Sequence, residues 1–163
     1  MRASTASLPR TTTTAAAPTV PARTAVPVKT LLRTSATALV LGAAAAEAVS
    51  LTARAFDVPL RSSGFGDGAA ETIPVGGFAL ATLMYGLIGV ALAFALRRWA
   101  KTPARTFTRV CVALTALSFV PLPVVNHTAT STRIVLALTH IAAAVVIVPM
   151  IARRLADRSA DAR

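Results

Sequence analysis

Charge is scarce in this chain of 163 residues. Asp, Glu, Lys and Arg make up 14% of it, against about 25% in a soluble domain, and only six residues are acidic. With 55% hydrophobic residues and a mean hydropathy of +0.66, that deficit excludes an ordinary water-soluble globule and points to lipid as the solvent. Cys111 is the single cysteine, so an intrachain disulfide is excluded and the redox compartment cannot be read from it. The two histidines, His127 and His140, fall in no HExxH sequence, so no hydrolase-type zinc site is suggested; neither a metal nor a cofactor is expected. GxSxG and Walker A patterns are absent too, so no catalytic residue is assigned and the chain is not expected to be an enzyme. Tyr85 is the one tyrosine and Trp99 the one tryptophan, too few to line an aromatic cavity.

Long uncharged runs are what the chain does have. From Val75 to Leu96 there are 22 consecutive residues without a charge, and Arg97, Arg98 and Lys101 follow at once. A bilayer crossing needs about 20 apolar residues, and basic clusters mark the end that stays in the cytoplasm. The net charge of +11 invites a nucleic-acid reading, but its distribution argues otherwise. Arg2, Arg10, Arg23, Lys29 and Arg33 lie in the N-terminal segment, up to the start of the first apolar stretch. Arg97, Arg98, Lys101, Arg105 and Arg109 lie between the second and third, and Arg153, Arg154, Arg158 and Arg163 close the chain. A DNA binder gathers its charge on one face with base-reading residues; here the cations flank alternate ends of apolar spans. No nucleic-acid partner is expected. The expected partners are the bilayer, with anionic lipid at the basic inner face, and a second copy of the chain or another membrane protein.

The fold class expected is all-α: a polytopic membrane protein, a four-transmembrane-helix bundle with a disordered N-terminal tail. Residues 1–30 are rich in Thr, Ala and Pro without apolar periodicity and read as a disordered cytoplasmic tail. A transmembrane domain is expected over 31–154, with spans at about 31–55, 75–96, 107–125 and 133–152, and a basic cytoplasmic tail over 155–163. The first span is the weakest, being Ala-rich and carrying Glu47. Ala43 to Ala46 offers A-x-A-like cleavage sites, so a secretory signal is the rival reading, opposed by a long polar leader and no clean apolar core. The loop over 56–74 is punctuated by Pro59, Gly64, Gly66, Gly68 and Pro74, and Gly64-x-Gly66-x-Gly68 reads as flexibility, since no strand precedes it. Pro121 and Pro123 are expected to kink or end the third span. Four spans place both termini in the cytoplasm of a plasma-membrane protein, and short connections favour antiparallel neighbours.

Small residues let membrane helices approach closely. Thr82, Gly86, Gly89 and Ala93 share a face of the second span, and Gly86, Gly89 and Ala93 are read as helix-packing residues. Cys111, Thr115 and Ser118 share a face of the third span; Ala43, Glu47, Ser50 and Arg54 share one of the first. Ionisable residues within a membrane usually face the bundle interior and often mark function. At 1.5 Å per residue, Glu47, Thr82, Ser118 and His140 fall in one polar layer in the outer half, the candidate intramembrane site. Two readings of it stay open: a Glu47–His140 proton-sharing pair, or a hydrogen-bonded clasp that fixes helix register. A third places Glu47 nearer the surface, paired with Arg54.

Four segments carry a resemblance: the Ala-rich first span ending in Leu51-Thr-Ala-Arg-Ala-Phe-Asp-Val-Pro-Leu60, then Glu71-Thr-Ile-Pro-Val75, Leu117-Ser-Phe-Val-Pro-Leu122 and Leu136-Ala-Leu-Thr-His-Ile-Ala142. Over about residues 31–154 the chain resembles a family of small four-span actinobacterial membrane proteins, a domain of unknown function. The resemblance implies an integral membrane protein with no assigned activity, and it makes Glu71 and His140 worth testing. The expected role is structural or accessory, by contact with membrane proteins. The alternative is a small proton-coupled transporter or channel subunit using the Glu47/His140 layer, and a membrane enzyme is a third reading.

Overall fold

A computed structural model describes residues 28–62, 70–120 and 129–160. The tail over 1–27, the glycines of the first loop, Pro121, Pro123 and His127 lie outside the described residues. Four helices dominate: α1 (Val28–Ala55), α2 (Gly77–Trp99), α3 (Pro103–Ser118) and α4 (Thr130–Ala160). A two-residue ribbon, β1 (Arg61–Ser62) against β2 (Glu71–Thr72), ties the α1–α2 connection. It is antiparallel, with Arg61 opposite Thr72 and Ser62 opposite Glu71.

Three of the helices, α1, α2 and α4, are long and apolar enough to cross a membrane. Helix α3 covers the start of the third expected span, and residues 121–125 of that span lie outside the described residues. Pro103 opens α3 at the first turn, where the missing N–H is harmless and φ is already helical. The helix ends at Ser118 after 16 residues, about 24 Å at 1.5 Å per residue. Proline disfavours helical backbone at the residue before it, and α3 stops three residues short of Pro121. In contrast, α4 runs on through Pro149 to Ala160, beyond the expected end at Ala152. Pro149 deprives the Val145 carbonyl of one intrahelical bond without ending the helix.

The helices pack antiparallel in the ring order α2–α1–α4–α3, with the most extensive contact between α1 and α4. Residue pairings show the directions. Glu47 meets Gly76 and Ala79 at the start of α2, while Leu39, one end lower on α1, meets Gly86. Gly42 faces Ile147 of α4. Phe119 stacks edge-on to His140, with centroids 6.4 Å apart, while Phe107, at the opposite end of α3, joins Ile151 and Leu155.

The Ala-rich first helix is the most buried of the three long ones. Of its most apolar window 39% is buried, against 6% for α2 and 17% for α4. Leu31, Ser35, Ala38, Gly42, Ala46, Ser50 and Ala53 are buried at helical spacing. A helix that faces protein rather than lipid gains from small side chains, because close approach multiplies van der Waals contact. The weak insertion signal of α1 and its greater burial have this common cause. The outward sides of α2 and α4 carry exposed Leu80, Met84, Leu87, Ile88, Ile134, Leu138, Ile141 and Val145. So extensive an apolar surface marks a face built to be covered.

Two buried clusters divide the core along its length. One, at the end where α2 meets α3, contains Leu31, Ala38, Ala93, Phe107, Ile151 and Leu155. The other, at the ribbon end, contains Ala46, Ala53, Leu60, Phe78 and Val135.

Candidate functional site

The ribbon end holds the polar contacts that join distant parts of the chain. Helix α2 begins after Gly76, which takes φ 84° and ψ −9°, and no side chain of its own caps it. That left-handed backbone suits glycine, which has no Cβ to clash. The cap comes from α1 instead. Glu47 Oε1 accepts the Gly76 N–H at 2.9 Å, and Oε2 accepts the Ala79 N–H at 3.1 Å. A helix start leaves backbone donors without partners and carries a partial positive charge. A carboxylate there answers both needs at once.

Three further bonds brace the same end. Arg54 Nη2 donates to the Ile73 carbonyl at 2.6 Å, and the Ile73 N–H donates to the Leu60 carbonyl at 2.8 Å. Thr132, fully buried at the start of α4, donates its hydroxyl to the Pro59 carbonyl at 2.6 Å. The α1 exit turns at Asp57, whose φ of 54° is left-handed, a conformation Asp tolerates better than most residues. Leu60 and Phe78 fill the space beneath.

The four residues of the candidate polar layer are each satisfied separately. Thr82 donates to the Phe78 carbonyl at 2.8 Å, and Ser118 to the Thr115 carbonyl at 2.6 Å. His140 is exposed, with Nδ1 2.7 Å from the Leu136 carbonyl. Glu47 reaches a different helix from His140, and its height matches the first turn of α2 rather than Thr82 one turn further in. Neither the proton-sharing pair nor a Glu47–Arg54 pair is formed: Glu47 bonds backbone N–H groups and Arg54 a backbone carbonyl. Glu71, marked by the resemblance, is exposed on β2.

Among the packing residues, Ala93 is fully buried. A Cβ added at Gly86 would collide with Leu39 of α1, whereas one at Gly89 would meet open space. On the α1–α4 contact, a Cβ added at Gly42 would sit 2.5 Å from the Ile147 side chain. Sequence reasoning missed Gly42, although it is the single glycine in the first span. It also missed Thr132 and the capping role of Glu47, whose partners lie 73 and 29 residues away.

Charge is divided between the ends. At the ribbon end Glu47, Asp57 and Glu71 balance Arg54, Arg61 and Arg133. At the other end α1 contributes Lys29 and Arg33, α2 Arg97 and Arg98, α3 Arg105 and Arg109, and α4 Arg153 and Arg154, with Lys101 between α2 and α3. Asp157 is the described acid there, 3.5 Å from Arg154 in an exposed pair of a kind that contributes about 0–1 kcal/mol.

These features define an all-helical chain with three helices able to span a membrane and a carboxylate-capped helix junction at one end. Residues 26–157 match the family of unknown function DUF6069, and the chain belongs to that family. No curated protein and no solved structure matches it.

Proposed function

We propose that this protein is a multi-pass plasma-membrane protein with a non-enzymatic structural or accessory role, exerted by contact with other membrane proteins or with a second copy of itself. The observation that carries this reading is the Glu47 junction. The one acid within the first span places both carboxylate oxygens on backbone N–H groups of α2. A proton carrier needs a carboxylate that alternates between partners and faces a path; this one is committed to helix capping. Small-residue contacts at Gly42 and Gly86 and the exposed apolar faces of α2 and α4 support a packed bundle in lipid. In this reading α3, with the residues that follow it, completes a fourth crossing. The basic end lies in the cytoplasm with both termini, as the positive-inside rule requires.

Proteoliposomes test the role. Wild-type protein is expected to leave an imposed pH gradient intact, and Glu47→Gln to lower melting temperature without changing proton leak. Dissipation of the gradient by wild type, abolished by Glu47→Gln at equal protein level, would establish the transporter alternative instead.

A further inference from the structure

Between α3 and α4 at the basic end lies a shallow groove of about 420 Å³. Its floor is small: Ala104 comes from α3, and Ala152 and Ala156 from α4. Thr108, also on the floor, gives its hydroxyl proton to the Ala104 carbonyl at 3.0 Å. Its rim is three exposed guanidiniums. Arg105 and Arg109 stand four apart on α3, hence on one helix face, and Arg153 stands on α4. Among the described residues none of the three has an acidic partner, whereas Arg154, next along α4, pairs with Asp157.

The groove combines two requirements. An apolar floor without free donors suits hydrocarbon, and a rim of fork-shaped cations suits phosphate oxygens. A small free anion would use only the rim. A ligand matching both parts is amphiphilic with an anionic head. We propose that this groove seats one anionic phospholipid, its phosphate held by Arg105, Arg109 and Arg153, its head group over Ala104 and Ala156, and its glycerol and upper acyl chain leading inward past Thr108 and Ala152. The proposal rests on the membrane reading above and names a partner for its cytoplasmic end. It goes beyond a general attraction of basic residues to anionic lipid, because it assigns the affinity to three arginines out of the many at that end.

Purified full-length protein in neutral detergent would be titrated with phosphatidylglycerol, phosphatidylcholine or inorganic phosphate, and bound lipid counted by native mass spectrometry. Wild type is expected to retain phosphatidylglycerol in preference to phosphatidylcholine, and inorganic phosphate at equal concentration is expected not to displace it. Each rim arginine near a phosphate is expected to contribute about fivefold in affinity. The triple Arg105→Gln, Arg109→Gln, Arg153→Gln variant should therefore lose on the order of 100-fold. Lys29→Gln, Arg33→Gln, Arg98→Gln removes the same charge away from the groove and should lose less than about threefold. Single Arg→Gln variants carry the test if the triple variant is unstable. Equal loss in both triple variants, equal retention of phosphatidylcholine, or displacement by inorganic phosphate would overturn the site. Release of wild-type chain from membranes by alkaline carbonate is a separate result, which would overturn the membrane reading itself.

Discussion

Glu47 and Ala79, on different helices and 32 residues apart in the chain, are joined by a 3.1 Å hydrogen bond from the Ala79 N–H to Oε2. With the companion bond from Gly76, it makes the end of α1 the missing cap of α2. An acid in an apolar helix is thereby explained by what it completes in its neighbour.

Removing that cap should be felt as stability. Glu47→Ala leaves two backbone donors without their acceptor and removes a negative charge from a helix start. We expect a loss of about 2–3 kcal/mol. Glu47→Gln keeps one acceptor oxygen and should lose about half as much. Unfolding in mixed micelles, followed by circular dichroism, measures both. Equal stability of wild type and Glu47→Ala would show that water replaces the carboxylate.

His140 should be energetically independent of Glu47. Its ring meets Phe119 edge-on, and its Nδ1 lies near the Leu136 carbonyl. His140→Ala should cost about 0.5–1.5 kcal/mol through the lost ring contact. Combined with Glu47→Gln, the two effects should add within about 0.5 kcal/mol. A larger coupling in the double-mutant cycle would restore the polar-layer reading.

Glycines 42 and 89 should respond in opposite ways. A side chain at position 42 runs into Ile147 and the α1–α4 contact, so Gly42→Ala should destabilise by about 1–3 kcal/mol. Gly89 has open space where its Cβ would be, so Gly89→Ala should be neutral or stabilising by up to about 1 kcal/mol through helix propensity. Thermal aggregation temperatures of the two variants, measured in parallel, rank them.

Thr132→Val keeps the shape of a buried side chain while deleting its hydrogen bond to the Pro59 carbonyl. The expected cost is about 1–2 kcal/mol. Proteolysis after Arg61 should quicken in the variant, because the loop loses its tie to α4. An unchanged cleavage rate would mean that the Leu60 and Phe78 packing holds the loop unaided.

Orientation is tested with single cysteines in a Cys111→Ala background. Phe56 and Lys101 are exposed at opposite ends of the bundle. In intact cells Phe56→Cys should react with an impermeant maleimide and Lys101→Cys only after permeabilisation. The reverse pattern would invert the topology.

Much of the helical layout is legible in the sequence because it depends on local composition. The run from Val75 to Leu96 maps to α2 within three residues at either end, and among the described residues the basic clusters other than Arg54, Arg61 and Arg133 lie away from the ribbon. The third expected span is matched only in part, since α3 covers its start as far as Ser118 and residues 121–125 lie outside the described residues. Hydropathy rated α1 weakest, because it scores affinity for lipid and this helix faces protein.

Tertiary structure alone decided what the polar residues do. Depth arithmetic set Glu47 level with Thr82 and His140, yet a side chain's direction depends on helix rotation, which a depth does not specify. Its partners are backbone N–H groups, which carry no sequence signature, at a helix start 29 residues on. By itself the sequence determined an all-helical chain of long apolar segments with charge segregated between its ends, because those properties are sums over neighbouring residues. The ring order α2–α1–α4–α3, the Gly42–Ile147 approach, the Glu47 cap and the arginine-rimmed groove arise only when separate helices are brought together, because each is a relation between surfaces that meet in space.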